Sequence, residues 1–439
     1  MITLLVAQLA SAPAQAAEPP APSPPAGGAP PATETEEDGE DEPLDPYRVE
    51  PTIVPAFAGS SDIGFLFGAM GTLAQFDPAY DPYRWRGESV FVTAVKDGPD
   101  GAELTMQVYF LRLNFPELLG GALRLTPEVF FVRRINAGYF GLGNASRPGL
   151  SEAERTGPET GRVNQYMSTS PMVLCNAQID MGYGLSALVG GLLRASFVDP
   201  YANSRLAVDA SALDRWGEPL IRGVDPEGHG YGRLAAGGQF DSRDHETAPQ
   251  RGMFHSLGGY LSPPGPMGSD HWFGGVTADA RFFAPVIRDH LVAGLRVLGD
   301  MQFGDPPFYQ LGQYGVFRDQ GFTGSRGLRG PPQGRYHGRV KVLGNLELRA
   351  MFLSFMLFEQ RWRFGASAVA DAGRVWADYR IDPVLDGTGL GLKYGVGGGP
   401  RLQVGETVMI RIDAVYSPHS PDGYGDLPVG IYWDMRELF

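Results

Sequence analysis

The feature that most constrains this sequence is a period of two, in which apolar and polar residues alternate over stretches of about ten residues. It recurs in residues 340–352, 361–373 and 408–416. In the first stretch one face is apolar and consists of Val340, Val342, Leu346, Leu348, Ala350 and Phe352. The opposite face is mainly polar and includes Lys341, Asn345, Glu347 and Arg349. Soluble β-sandwiches also alternate, but their strands are shorter, so the pattern favours a transmembrane β-barrel with a polar lumen.

The same pattern predicts sixteen strands, and their connections differ in length in a regular way. The predicted strands are 52–58, 61–76, 88–98, 101–114, 120–135, 164–180, 183–198, 231–242, 252–263, 270–284, 289–302, 339–353, 358–376, 388–403, 406–416 and 428–439. The long connections, at 136–163, 199–230 and 303–338, all follow odd-numbered strands. Outer-membrane barrels have long extracellular loops and short periplasmic turns, and an even strand count lets them close without exposed edges. The sequence therefore predicts an all-β, sixteen-stranded antiparallel transmembrane β-barrel over residues 51–439, located in the bacterial outer membrane.

The composition agrees with strands and turns rather than helices. The chain contains 61 glycines and 11% aromatic residues. No stretch reaches the roughly 18 consecutive apolar residues that a membrane helix needs. The single cysteine, Cys175, excludes an intrachain disulfide and a thiolate metal cage. We expect neither a cofactor nor a metal.

The first fifty residues do not continue the barrel pattern. Residues 1–16 combine a short apolar stretch with an Ala-x-Ala pattern, which predicts a signal peptide and an exported chain. Residues 17–50 are proline-rich and then acidic, so they cannot bury enough apolar surface to fold and are predicted to be disordered. Their acidic residues supply more than half of the formal net charge of −14, so this charge does not indicate an acidic surface on the barrel.

Several motifs after residue 320 follow one another in a recognisable order. They are LRGPPQGRYHGR at 328–339, VADAGRVW at 369–376, GVGGGPRLQVG at 395–405, IRIDAVYSP at 410–418 and GIYWDMRELF at 430–439. In order and spacing they resemble the C-terminal barrel of the BamA/TamA superfamily, the bacterial surface antigen type. Further likenesses at 139–144 and 239–252 extend the resemblance over roughly residues 51–439.

The resemblance implies a barrel whose sixth extracellular loop folds back into the lumen with an Arg-Gly motif, here Arg329 and Gly330. The wall motif that receives this loop in the family is matched by the stretch ending in Gly373, with Asp371 as its acidic member, and Glu347 matches a second acidic position. Both carboxylates share the lumen-facing parity of neighbouring strands. We therefore expect Arg329 to pair with Asp371, with Glu347 as a second acceptor, and we name this group the lumen loop latch.

The resemblance also implies a lateral seam, at which the first and last strands meet. The first strand is short, and Pro51 and Pro55 remove hydrogen-bond donors from it. The seam is expected at Ala56 on one side and at Trp433 and Phe439 on the other. In the family this seam is thought to open towards the membrane.

Two classes of function remain open at this point. Full-length members carry periplasmic POTRA domains before the barrel; residues 17–50 are too few to form one, so a barrel-only member is expected. Such a barrel would assist outer-membrane protein insertion or protein translocation; the alternative is a passive small-solute pore or a structural surface barrel. The expected partners are outer-membrane lipids and lipopolysaccharide, whose phosphates Arg335 or Arg339 would bind, together with unfolded outer-membrane proteins or a periplasmic partner. No basic face suits nucleic acid.

An enzyme is not expected. A histidine beside a carboxylate can act as a general base, and the sequence has three such pairs, namely Asp244-His245, Asp270-His271 and Asp289-His290. The predicted topology puts them at different rims of the barrel, where they cannot converge. The sequence also lacks the nucleophile-elbow and zinc-protease motifs.

Overall fold

The computed structural model of the protein describes most of the chain after residue 45. The described residues are 46–60, 64–80, 83–98, 101–155, 161–214, 216–245, 248–265, 272–287, 290–357, 360–404, 408–420 and 427–434. The predicted signal peptide and most of the predicted disordered segment lie outside them.

Sixteen strands form one antiparallel sheet, in which each strand pairs with its neighbours in chain order. The strands of this sheet are β1 (Val49–Ser60), β2 (Gly64–Gln75), β3 (Trp85–Gly98), β4 (Gly101–Leu118), β5 (Leu123–Gly138), β6 (Gln165–Gly182), β7 (Leu185–Pro200), β8 (His229–Asp241), β9 (Gly252–Ser262), β10 (Phe273–Ile287), β11 (Leu291–Gly304), β14 (Val340–Leu357), β15 (Gln360–Trp376), β16 (Lys393–Val404), β17 (Val408–Tyr416) and β18 (Val429–Asp434). Two further strands, β12 (Gln313–Tyr314) and β13 (Gln320–Gly321), form a separate two-stranded hairpin. The prediction of an all-β fold with sixteen antiparallel strands is confirmed.

The two faces of the sheet differ in chemistry as the alternation predicts. On β11, Leu295 and Val297 are 43% and 49% exposed, whereas Arg296 and Asp300 are 1% and 2% exposed. Large apolar side chains thus point outward, and charged side chains point into the covered interior. This arrangement is the reverse of a soluble protein and is typical of a barrel surrounded by lipid.

The ends of several strands differ from the predicted ones. The first strand begins at Val49 rather than at residue 52, so it includes the end of the segment predicted to be disordered. Strand β16 begins at Lys393 rather than at residue 388, because the preceding connection contains the helical turn Pro383–Asp386 and glycines at positive φ. Among the described residues, β1 pairs only with β2 and β18 only with β17, so no hydrogen bonds between the two ends of the sheet are seen there.

The longest connections all follow odd-numbered strands and gather at one end of the sheet, although the connections after β1 and β3 are short. They contain a helix, Arg205–Ser211, and the helical turns Phe308–Leu311 and Pro383–Asp386. Backbone hydrogen bonds of 2.7–2.9 Å link these connections to one another, from Gly143 N to His337 O, from Ala145 N to Leu385 O and from Phe308 N to Arg222 O. None of the helices in the described part of the chain is long and apolar enough to cross a membrane.

Candidate functional site

The connection between β11 and β14, residues 305–339, packs on the charged face of the sheet. We call it the seated loop. Near its start it contacts β5, where Arg318 and Glu128 are 2.9 Å apart, and near its end it contacts β18, where Gly330 N donates to Tyr432 Oη at 2.7 Å. Between these points Leu328 N donates to Phe322 O at 2.8 Å, which folds the backbone back on itself. The seated loop thus contacts strands from the first and from the second half of the sheet, so the sheet must curl around it.

The Arg-Gly motif of the seated loop lies against β15. The Nε and Nη2 atoms of Arg329 are 2.7 and 2.8 Å from the two carboxylate oxygens of Asp371, and the backbone N–H of Arg329 donates to Asp371 Oδ2 at 3.1 Å. Both side chains are fully buried, at 0% exposure. Arginine suits this place because its planar guanidinium engages a carboxylate with two parallel hydrogen bonds.

Asp413 lies closer to Arg329 than Glu347, the expected second acceptor. Arg329 Nη1 is 3.2 Å from Asp413 Oδ2 on β17, whereas Glu347 Oε2 is 4.0 Å away. Glu347 is bound instead by Arg401, which lies 2.7 Å from Glu347 and 2.8 Å from Asp413. Arg411 completes the group, 3.5 Å from Asp413. Three guanidiniums therefore face three carboxylates, and this balance makes burial of all six charges tolerable.

Two glycines allow the close approach of loop and wall. Gly330 has a φ of +111°, and a Cβ there would lie 2.5 Å from Ser417 Cβ. A Cβ on Gly373 would lie 3.0 Å from the ring of Phe322 in the seated loop. Tyr432 adds a contact that was not predicted: its hydroxyl accepts a hydrogen bond from Gly330 N and donates one to Pro331 O at 3.2 Å.

The other residues singled out in the sequence do not join this group. In the register of the sheet Ala56 lies opposite Gly68, and Trp433 lies opposite Ile412. Phe439 lies outside the described residues, so the lateral seam remains a prediction.

The two arginines considered for lipopolysaccharide are engaged within the connections. The guanidinium of Arg335 donates to Ser146 Oγ and to Ser146 O, each at 2.7 Å, and Arg339 donates to Gly304 O. Their binding of lipopolysaccharide remains a prediction.

The Asp-His pairs of the sequence are only partly described. Of the three Asp-His pairs, the structure describes both members only for Asp244 and His245, where the Asp244 carboxylate accepts backbone hydrogen bonds in the β8–β9 connection. Asp270, His271 and Asp289 lie outside the described residues. Within those residues no three His, Cys, Asp or Glu side chains are placed to hold a metal ion.

The root of the seated loop buries a histidine. His337 packs with the ring of Tyr139, at 4.9 Å between ring centroids, under the joined connections. Burial, together with the positive charges of Lys341 and Arg335, lowers the pKa of His337 from 6.5 to about 3. The imidazole is therefore neutral in the folded protein at neutral pH.

Comparison with solved structures identifies the architecture. CdiB from Escherichia coli superimposes with a TM-score of 0.54 at 12% sequence identity, over 89% of this chain and 62% of the CdiB chain. The chain shares the β-barrel fold of this protein. BamA from Haemophilus ducreyi lacking POTRA domains 1–3 is also similar, with a TM-score of 0.48 at 14% identity, over 84% of this chain and 67% of that one.

At these identities the likeness establishes the fold of the barrel and not its activity. The chain spans less than two thirds of the length of CdiB. No protein-family model and no curated protein matches the sequence.

Proposed function

We propose that this BamA/TamA-type barrel assists the insertion of outer-membrane proteins or the translocation of proteins across the outer membrane. The observation that carries the proposal is the fully buried pair of Arg329 and Asp371, which fixes the seated loop on the charged face of the sheet. In this proposal that face is the wall of the lumen, and the loop occupies the lumen at rest. A passive pore for small solutes needs an open path instead, so the buried pair favours a protein-handling barrel.

If the seated loop blocks the lumen, the edge of the sheet is the other place at which a client protein could bind. Pro51 and Pro55 cannot donate backbone hydrogen bonds from β1, so its pairing with any neighbour is weakened at these residues. A strand edge with unused carbonyl groups can pair with an incoming strand of another protein. We propose that unfolded outer-membrane proteins are clients at this seam, with outer-membrane lipids and lipopolysaccharide around it and a periplasmic partner delivering the client.

The proposal is tested by two measurements on the purified barrel. In planar bilayers we expect small, brief and fluctuating conductance, because the loop closes the lumen most of the time. In liposomes we expect the barrel to speed the conversion of an added unfolded outer-membrane protein to its protease-resistant form, compared with liposomes that contain a heat-denatured sample. A large, steady conductance without any acceleration of insertion would show that the barrel is a passive pore.

A further inference from the structure

The seated loop is held at a second place, far from Arg329. We call residues 315–319, which connect β12 to β13, the tip segment. Asp319 lies 2.6 Å from Arg233 on β8 and 3.8 Å from Arg194 on β7. On its other side Arg318 lies 2.9 Å from Glu128 on β5. The tip segment thus binds the wall through three ion pairs, two made by its carboxylate and one by its guanidinium.

The wall opposite the tip segment is shaped to receive it. A Cβ on Gly190 of β7 would lie 3.2 Å from the ring of Phe317, and a Cβ on Gly258 of β9 would lie 3.2 Å from Val316 Cγ1. Asn176 of β6 donates a hydrogen bond to the carbonyl oxygen of Phe317 at 3.3 Å. Small residues, a side-chain donor and charged partners together form a seat for the tip segment on β5–β9.

The two attachments differ in how well they are shielded. At the Arg329 end both partner side chains are 0% exposed, and the arginine makes two short hydrogen bonds to one carboxylate. At the tip segment Arg318 is 18% exposed and Asp319 is 10% exposed, although their partners on the wall, Glu128 and Arg233, are only 3% and 1% exposed. Partly exposed ion pairs are weakened by solvent and salt, whereas buried pairs are screened much less. The tip segment is therefore the weaker of the two attachments.

We propose that the tip segment is the releasable end of the seated loop. The loop pivots on the Arg329–Asp371 pair, and the tip segment leaves its seat on β5–β9. This motion opens a path along the inner wall of those strands while the other end stays fixed. The inference concerns the loop itself and holds whichever client the barrel handles. It also requires openings to become more frequent as ionic strength rises, because salt screens the pairs at the tip segment.

The first test removes one charge from the tip segment. In planar bilayers we expect Asp319→Asn to raise the open fraction at least about tenfold, since a loss of about 1.4 kcal/mol at the seat gives that factor. The matched control is Asp305→Asn, the same substitution at a carboxylate of the same loop that is 40% exposed and 3.4 Å from Arg222. We expect the control to behave as the unaltered protein. Equal open fractions for both variants would overturn the proposal.

The second test locks the tip segment with a disulfide and does not depend on the first. Gly258→Cys and Val316→Cys are combined in a Cys175→Ala background, because the short approach of these positions suits a disulfide. Oxidation should suppress openings and reduction should restore them, while heat-modifiable gel migration shows that the barrel remains folded. Unchanged openings in the oxidised, cross-linked protein would mean that the tip segment does not move. Both readouts use conductance without a client, so they fail independently of the proposed insertion activity.

Discussion

Arg329 combines full burial with several charge partners, and this sets the cost of losing it. A buried charge whose partner is removed is destabilising by about 3–5 kcal/mol, because the remaining charge is left unpaired in a dry environment. We expect Arg329→Ala and Asp371→Ala each to lower the free energy of unfolding by an amount of this order. The double variant should lose much less free energy of unfolding than the sum of the two single variants, because neither charge of the pair is left without its partner. Denaturant unfolding of the four proteins measures this coupling.

Asp413 affects how the single variants of this double-mutant cycle compare. It also contacts Arg329, at 3.2 Å, so Arg329 keeps one carboxylate partner in Asp371→Ala, and the cost of that variant should lie at the lower end of the range. Fully additive costs for Arg329 and Asp371 would contradict a direct contact between them and would end the latch hypothesis.

His337 makes the seated loop sensitive to pH. Its pKa is lowered by burial from 6.5 to about 3 in the folded protein, so between these values the unfolded chain binds a proton that the folded one does not. Stability therefore rises with pH through this window and is lost as the pH falls below 6.5, by up to about 1.4 kcal/mol per pH unit. We expect protease cleavage within residues 305–339 to accelerate from pH 7 to pH 4.

A pair of histidine variants separates this effect from general acid sensitivity. His337→Gln should flatten the pH dependence of cleavage, whereas His245→Gln, at an exposed residue of the β8–β9 connection, should leave it unchanged. The same steep dependence in both variants would assign it to other groups.

The sequence singled out some residues of the site and not others. Arg329 and Asp371 belong to motifs with a recognisable order, so the resemblance could point to them. Asp413 and Arg401 also lie in such motifs, but no role was predicted for them, because charged residues at inward positions are common on every strand of a polar-lumen barrel. Which of them meet depends on strand register and on the path of the loop, and neither of these can be read from periodicity.

Among the strands of the large sheet, β1 has a composition unfavourable for stable pairing. It carries two prolines, which cannot donate backbone hydrogen bonds. In a Cys175→Ala background, Ala56→Cys and Trp433→Cys should form a disulfide if the two strands pair at the seam. We expect the cross-linked barrel to remain folded and to lose insertion activity, measured in liposomes before and after reduction. Full activity in the cross-linked form would eliminate the lateral seam as the route of the client.

The strands themselves could be predicted well, and their ends less well. Alternation is strong where one face meets lipid, so the sixteen strands and their order follow from the pattern. Strand ends depend on turns and on contacts between connections. Residues 388–392, for example, read as the start of a strand, but they follow a helical turn whose Leu385 is tied to Ala145 in another connection. Contacts of that kind between distant segments do not appear in the periodicity of the sequence.

For the whole molecule, the even number of strands determines the sidedness of the chain. Sixteen antiparallel strands return the chain to the side on which it began, and the long connections all lie on the other side. If the long connections are extracellular, an epitope inserted near Pro226 should be labelled on intact cells and one near residue 45 only after permeabilisation. Antibody labelling of whole and permeabilised cells measures this. The opposite pattern would reverse the orientation of the barrel.

The hydrogen bond between Gly330 and Tyr432 has a consequence for the order of folding. These residues are 102 positions apart in the chain, and five strands of the large sheet, β14 to β18, are made after the loop that depends on them. Contacts of such long sequence separation form slowly, because the chain loses much entropy before they stabilise it. The contact of Gly330 with the wall therefore cannot form until β18 is in place, whereas the partners of Arg318 and Asp319 lie on strands that precede the loop in the chain. We expect the loop to attach in two stages, first at β5 to β9 and last at Tyr432.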